Sequence, residues 1–301
     1  MSRQAFPFVL LLGLLWGSNL VVSRFGVNQL DPILFVAARL TIAAVLFLGL
    51  YLVLPGRRLP RQRTLWLYGC FLGLISTALP MTVTMSSLRL QSSGVTSIYV
   101  TMAPAIIVVM AHFFLPDEQL SWPKMLGVLL ALGGALLLVV RGESGLPDVA
   151  EASPLGFFLV LSGLIGEGFG AMFIRRRMRN VDPFDITFIR LVTAALAVLL
   201  LALFAADWDF SQLTRGGYAA IGYAAVIGAL LAQLLAFSIT SRFGATPFSL
   251  VGYIVPAVAA ITGVLLLDEQ ITGVMLAGMG LIVVGITLIN WRRRAVAPRL
   301  V

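Results

Sequence analysis

Long apolar runs alternate with short polar breaks along the whole chain. Ten runs stand out, at about 6–26, 34–54, 65–87, 93–115, 122–140, 154–174, 184–205, 217–239, 246–267 and 271–291. Each has roughly the 20 residues that a helix needs to cross about 30 Å of hydrocarbon. Only helices and closed barrels satisfy their backbone in lipid, and uninterrupted runs of this length are not barrel strands. The pattern predicts an all-α membrane protein with ten transmembrane helices. The widest break, about residues 141–153, is too short for a folded soluble domain. Any function must therefore be performed within the membrane.

The runs are written twice. At an offset of 151 positions, Asp31-Pro32 recurs as Asp182-Pro183, Arg39-Leu40 as Arg190-Leu191, Ala43-Ala44 as Ala194-Ala195, and Arg24 as Arg175. The same offset carries Gly17 onto Gly168, Asp117-Glu118-Gln119 onto Asp268-Glu269-Gln270, and Gly127 and Gly134 onto Gly278 and Gly285. The repeating units are residues 1–145 and 146–301, five runs each. Five is odd, so the second copy enters the membrane from the opposite side. Two inverted five-helix repeats of this kind are a common basis of secondary transporters, with the solute held near the midplane between them.

Composition agrees: 59% of residues are hydrophobic and 11% charged, against about a quarter charged in soluble domains. The basic residues give orientation. With the N-terminus inside, the inner loops and tails hold fifteen: Arg3, Arg57, Arg58, Arg61, Arg63, Lys124, Arg175, Arg176, Arg177, Arg179, Arg242, Arg292, Arg293, Arg294 and Arg299. The outer loops hold four, Arg24, Arg89, Arg141 and Arg215. This asymmetry predicts cytoplasmic termini in the cell inner membrane. It puts residues 117–119 inside and 268–270 outside. The net charge of +8 reads as topology and contact with anionic lipid, not as nucleic-acid binding. Residues 1–25 are read as the first span, because no small-x-small cleavage site closely follows their apolar stretch. The single Cys70 can form no intrachain disulfide and fits no metal-ligand spacing. No cofactor or metal is implied. Walker A, H-E-x-x-H and G-x-S-x-G signatures are absent from the sequence, which argues against ATP-driven transport by this chain alone.

The first run carries Leu15-Trp16-Gly17-Ser18-Asn19. Pro104 and Pro256 lie inside runs 4 and 9, each followed by an apolar stretch ending in Glu118 or Glu269, and Gly127 and Gly278 open Gly-rich runs 5 and 10. In this order and in duplicate, these elements resemble the drug/metabolite transporter superfamily, specifically its ten-helix EamA-like branch, over nearly the whole chain. The chain departs from that pattern in run 6, where Glu167 takes the place of Trp16. The resemblance implies export of amino acids, other metabolites or drugs, in some members driven by protons. It does not name the solute.

Several residues inside the runs are candidates to bind it. Glu167 is the only acidic residue deep in any run, and a central charge costs about 3 kcal/mol on insertion scales. It is either a protonated hydrogen-bonding group in the bundle or a cavity carboxylate for a solute ammonium or a proton. Trp16 and Asn19, one turn apart, suit a pocket wall, with the ring for apolar contact and the amide for orientation. Gln233 is a buried amide that either faces solute or joins two helices. Tyr99, Thr101 and Tyr253 flank Pro104 and Pro256, each of which frees a backbone carbonyl for a solute or simply kinks its helix. Thr77, Pro80, Thr82, Thr84 and Ser86 make run 3 unusually polar, as an exit lining or by back-bonding to their own helix. Arg39 and Arg190 read first as anchors that snorkel to headgroups or pair with Asp31 or Asp182, and second as anion sites. His112 reads as an interfacial residue. The paired glycines of runs 5 and 10 read as a packing seam between the repeats.

The leading expectation is a secondary transporter exporting small organic metabolites such as amino acids by alternating access. The alternative is a proton-coupled exporter of cationic lipophilic drugs using Glu167. An integral membrane enzyme would need a cluster of titratable residues near one interface, and a channel a ring of like residues; the sequence shows neither. The expected partners are a small-molecule solute, protons as a possible co-substrate and membrane lipids, with the chain a monomer or homodimer.

Overall fold

A computed structural model of the chain describes residues 4–54, 59–115, 118–149, 151–178, 181–243, 247–248 and 250–291. Arg3, Arg57, Arg58, Asp117, Arg179, Arg292, Arg293, Arg294 and Arg299 lie outside the described residues.

The described residues form ten membrane-length helical segments. Three are α1 (Phe6–Val27), α2 (Pro32–Val53) and α3 (Arg63–Ser87). Next come α4 (Ser93–Phe114), α5 (Trp122–Val140), α6 (Pro154–Arg177) and α7 (Pro183–Ala205). The last are α8 (residues 215–243), α9 (Val251–Leu267) and α10 (Gly273–Trp291). Nine contain an apolar helix of at least 18 residues; α9 has 17. This is an all-α protein of the multi-span membrane class.

The echoed Asp-Pro pairs start helices. Asp31 accepts the Ile33 and Leu34 amides at 2.8 and 3.4 Å, and Asp182 accepts the Phe184 amide at 2.9 Å. Pro32 and Pro183 follow at the first helical position, where a missing N–H costs nothing. Within α3 and α8 the helix widens to a π segment, at Leu74–Ala78 and Ala224–Leu231. The two segments overlap at the 151-residue offset, so this irregularity is also written twice.

Equivalent helices of the two copies pack against each other, α2 on α7, α4 on α9 and α5 on α10. All three pairs run antiparallel. In α5 and α10, a Cβ on Gly127 would lie 2.5 Å from the Gly285 carbonyl and one on Gly134 2.5 Å from that of Gly278. Tyr51 and Phe47, late in α2, meet Asp185, Phe184 and Phe188, early in α7. Gly94 approaches Ala260, and Thr101 approaches Gly252, between α4 and α9. Helices related by an axis in the membrane plane must point oppositely where they meet, so these pairs carry the inverted repeat. Further contacts interlock the copies: α1 packs on α9 as α6 does on α4, and α3 on α6 as α8 does on α1.

Large apolar side chains such as Val45, Leu52, Leu200, Phe204 and Leu265 stay exposed on the outside. Such a surface is suited to lipid, where it carries no hydration penalty.

Candidate functional site

Glu167 sits in the third quarter of α6, on a helix rich in glycine. Gly163, Gly166 and Gly170 bring α6 against α3: a Cβ at Gly166 would lie 2.5 Å from the Ile75 carbonyl, and one at Gly170 2.3 Å from Ser76 Cβ. Gly168 meets Met110 of α4. The outward face of α6 is marked by Phe158, Ile165 and Phe169, which are 58%, 39% and 39% exposed. At about 100° per residue, Glu167 points roughly 160–180° away from all three. Glu167 is nevertheless accessible. A side chain turned inward and still accessible faces a space inside the bundle, not lipid.

Arg190 of α7 is the nearby countercharge. Its Nε and Nη2 donate to Thr77 Oγ1 at 3.1 and 3.0 Å, and Nη2 donates to the Ser76 carbonyl at 3.2 Å. Ser76 and Thr77 belong to the π segment of α3, where the widened ladder presents backbone oxygen sideways. Gly73 gives the close approach, since a Cβ there would lie 3.0 Å from the Arg190 carbonyl. Glu167 and Arg190 interact electrostatically, but they form no direct ion pair among the described residues. Arg190 Nη1 makes no hydrogen bond there, and neither does the Glu167 carboxylate. The Glu167 carboxyl and the Arg190 guanidinium are held apart, each with hydrogen-bonding capacity unused among the described residues.

The other expected site residues sort by access. Trp16, Pro104, Gln233 and Tyr253 keep part of their surface accessible; Asn19, Tyr99, Thr101 and Pro256 are buried. Trp16, the repeat partner of Glu167, meets Phe248 edge-on with ring centres 5.9 Å apart. Asn19 is pressed against Gly228 in the π segment of α8, and its Oδ1 has no partner among the described residues. Tyr99 packs edge-on against Phe157 at 5.1 Å. Pro256 removes the N–H that would bond the Gly252 carbonyl. Thr101 Oγ1 reaches that carbonyl at 3.3 Å and also donates to Ser97 at 2.8 Å. The single Thr101 proton is thus shared, mainly with the Ser97 carbonyl and weakly with the freed Gly252 carbonyl between α4 and α9.

The anchor reading of the arginines needs correction. Arg39 is 2% exposed and does not snorkel; it donates to Ser23 Oγ at 3.5 Å and Met85 Sδ at 3.6 Å. Asp31 caps α2 instead of pairing with it. Arg190 turns to Thr77 and the Ser76 carbonyl. The sequence missed Arg190 as the companion of Glu167. The signal was faint: both residues lie at mid-depth in neighbouring runs of the second copy.

Two surface concavities lie elsewhere, an apolar groove of α1, α8 and α9 around Phe25 and Leu266, and a polar notch around Arg61 and Asp185.

The chain is similar to transporters over nearly its whole length. It is 25% identical over 293 residues to "Uncharacterized inner membrane transporter YedA" of Escherichia coli K12, covering 96% of this chain and 92% of the relative. It is 23% identical to the "Probable amino-acid metabolite efflux pump" of the same strain, covering 97% and 98%. A solved crystal structure superposes with a TM-score of 0.67 at 20% identity, over 98% of this chain and 100% of that one, which supports the fold. The model of the EamA-like transporter family matches twice, at residues 4–140 and 154–291. The two matches in tandem coincide with the two copies in the sequence, and the chain belongs to the EamA-like transporter family.

Proposed function

We propose that the protein is a secondary exporter of small zwitterionic solutes of the amino-acid type, working by alternating access without covalent chemistry. The carrying observation is the separated pair of opposite charges at Glu167 and Arg190. Glu167 would hold the solute ammonium and Arg190 Nη1 its carboxylate. Away from bulk water such charge-assisted contacts are about twice as strong as neutral ones. Trp16 and Tyr253 would receive the apolar part of the solute, and Gln233 would orient it. The name of the amino-acid metabolite efflux pump, a distant relative, points the same way. Export as the direction rests on the printed name of that same relative, an efflux pump.

The test is flux in proteoliposomes. Wild-type protein should exchange radiolabelled amino acids at equal pH. Glu167→Gln and Arg190→Gln should each raise the half-saturation concentration about 10-fold or more, as expected for losing one charged hydrogen bond of about 1.5–3 kcal/mol. Transport of a cationic dye with no amino-acid flux would replace this reading with drug export. Loss of pH-driven accumulation alone in Glu167→Gln, with exchange intact, would make Glu167 a proton site.

A further inference from the structure

Arg24 of α1 and Glu269, just past α9, form a buried ion pair, Nε to Oε1 at 3.1 Å, with side chains 10% and 3% exposed. Glu269 also accepts the Ser93 amide at 2.8 Å, the Ser93 hydroxyl at 2.7 Å and the Gly94 amide at 3.3 Å. These groups form the N-terminus of α4. Arg24 donates to the Leu88 carbonyl at 3.0 Å and to that of Gln91. Gly263 leaves the room, since a Cβ there would lie 2.3 Å from Glu269 Oε2. The ends of α1 and α9 and the start of α4 are thereby tied together.

The 151-residue offset carries Arg24 onto Arg175 and Glu118 onto Glu269. Arg175 and Glu118 are also paired, Nη1 to Oε1 at 2.7 Å, with Lys124 at 3.3 Å from Glu118 Oε2. Each pair joins an arginine of one copy to a glutamate of the other. The helix ends involved, those of α4 and α6 and the start of α5, lie at the opposite end of the bundle. One pair is therefore the image of the other under the inverted repeat. They differ in enclosure: Arg175 and Glu118 are 42% and 23% exposed. By sequence, the twin of Ser93 is Gly244, which has no hydroxyl to offer.

We propose that these two ion pairs are the latches of alternating access, one at each end of the solute path, strengthening and weakening in opposition. The structure holds the Arg24–Glu269 latch fully enclosed and the Arg175–Glu118 latch loosely covered. It therefore stands nearer the state open toward the Glu118 end. Because the latches are images, a helix movement that buries one uncovers the other. This inference concerns access, and holds whatever the solute is.

Labelling tests it without any solute. A reporter cysteine at Ala171, one turn from Glu167, is placed in a Cys70→Ala background. An impermeant thiol reagent is presented to each face of reconstituted vesicles. Glu118→Gln should raise labelling from the Glu118 face and lower it from the other; Glu269→Gln should do the reverse. Shifts of about two- to fivefold are expected for Glu118→Gln, as a partly exposed pair allows. Glu118→Gln alters a partly exposed pair and leaves folding intact, so it keeps the test alive if Glu269→Gln folds poorly; melting temperature is read for both. Labelling that moves in the same direction for both variants, or does not move for Glu118→Gln, would overturn the proposal.

Discussion

Asp31 and Glu118 both repeat at the same offset, yet they do different work. Asp31 and its twin Asp182 fix helix starts through backbone amides. Glu118 and its twin Glu269 fix side chains across the copies. Glu118 shows how such a contact responds to pH. The hydrogen bond from Arg175 holds its carboxyl below the ordinary value of 4.5, partial burial opposes this, and Lys124 adds to the lowering. A carboxylate with a depressed folded value stabilises above its unfolded value and loses that stabilisation as pH falls through the folded one. The melting-temperature difference between wild type and Glu118→Gln should therefore be constant near neutrality and vanish as pH drops below the carboxylate range. Its size should stay within about 1 kcal/mol, because the pair is solvent-screened. A difference that grew on acidification would contradict the assigned pairing. At this scale the sequence was partly legible. Glu167 stood out as a candidate because one carboxylate in an apolar run has no ordinary place. Arg190 could not be assigned, because its partners are a hydroxyl and a carbonyl 113 and 114 positions away. The partner of Thr101 Oγ1 was equally hidden, since it lies on another helix.

At the scale of elements, hydropathy located the helices within a few residues, because lipid thickness sets their length. It could not reveal the π segments at Leu74–Ala78 and Ala224–Leu231. They contain no proline, and they lie where α6 and α1 press against α3 and α8 through Gly170 and Asn19. The glycine seam was legible, since seven-residue spacing on two apolar helices has few other uses. Its tightness gives a prediction. A Cβ on Gly285 would lie 2.4 Å from the Gly127 carbonyl and 2.9 Å from the Ala131 nitrogen, and backbone cannot swing aside. Gly285→Leu should destabilise the protein by about 1–3 kcal/mol or more through overpacking. Gly280→Leu on the same helix should be near neutral, because nothing lies within 4 Å of its Cβ position. Melting temperatures of the two purified variants check the contrast; equal values would remove the seam from the account.

For the whole molecule, inversion follows from parity and packing together. Five helices per copy reverse the entry side, and α2–α7, α4–α9 and α5–α10 meet antiparallel as such a reversal demands. The sequence supplied the parity, while the interlocking of α1 with α9 and α6 with α4 needed coordinates, because offset alone does not say which helices touch. The arrangement puts Glu118-Gln119 and Glu269-Gln270 at opposite ends of the bundle, and the asymmetry of the basic residues predicts that the first faces inside and the second outside. Gln119 and Gln270 are repeat twins and both are exposed, so each takes a cysteine without loss of buried contacts. Glu269 itself is unsuitable, being 4% exposed and bonded on both oxygens. In a Cys70→Ala background, an impermeant thiol reagent applied to intact cells should label Gln270→Cys and leave Gln119→Cys unlabelled until the membrane is permeabilised. The reverse pattern would keep the inverted fold and flip its orientation. Labelling of both from outside would break the link between parity and topology, and with it the assignment of the two latches to opposite faces.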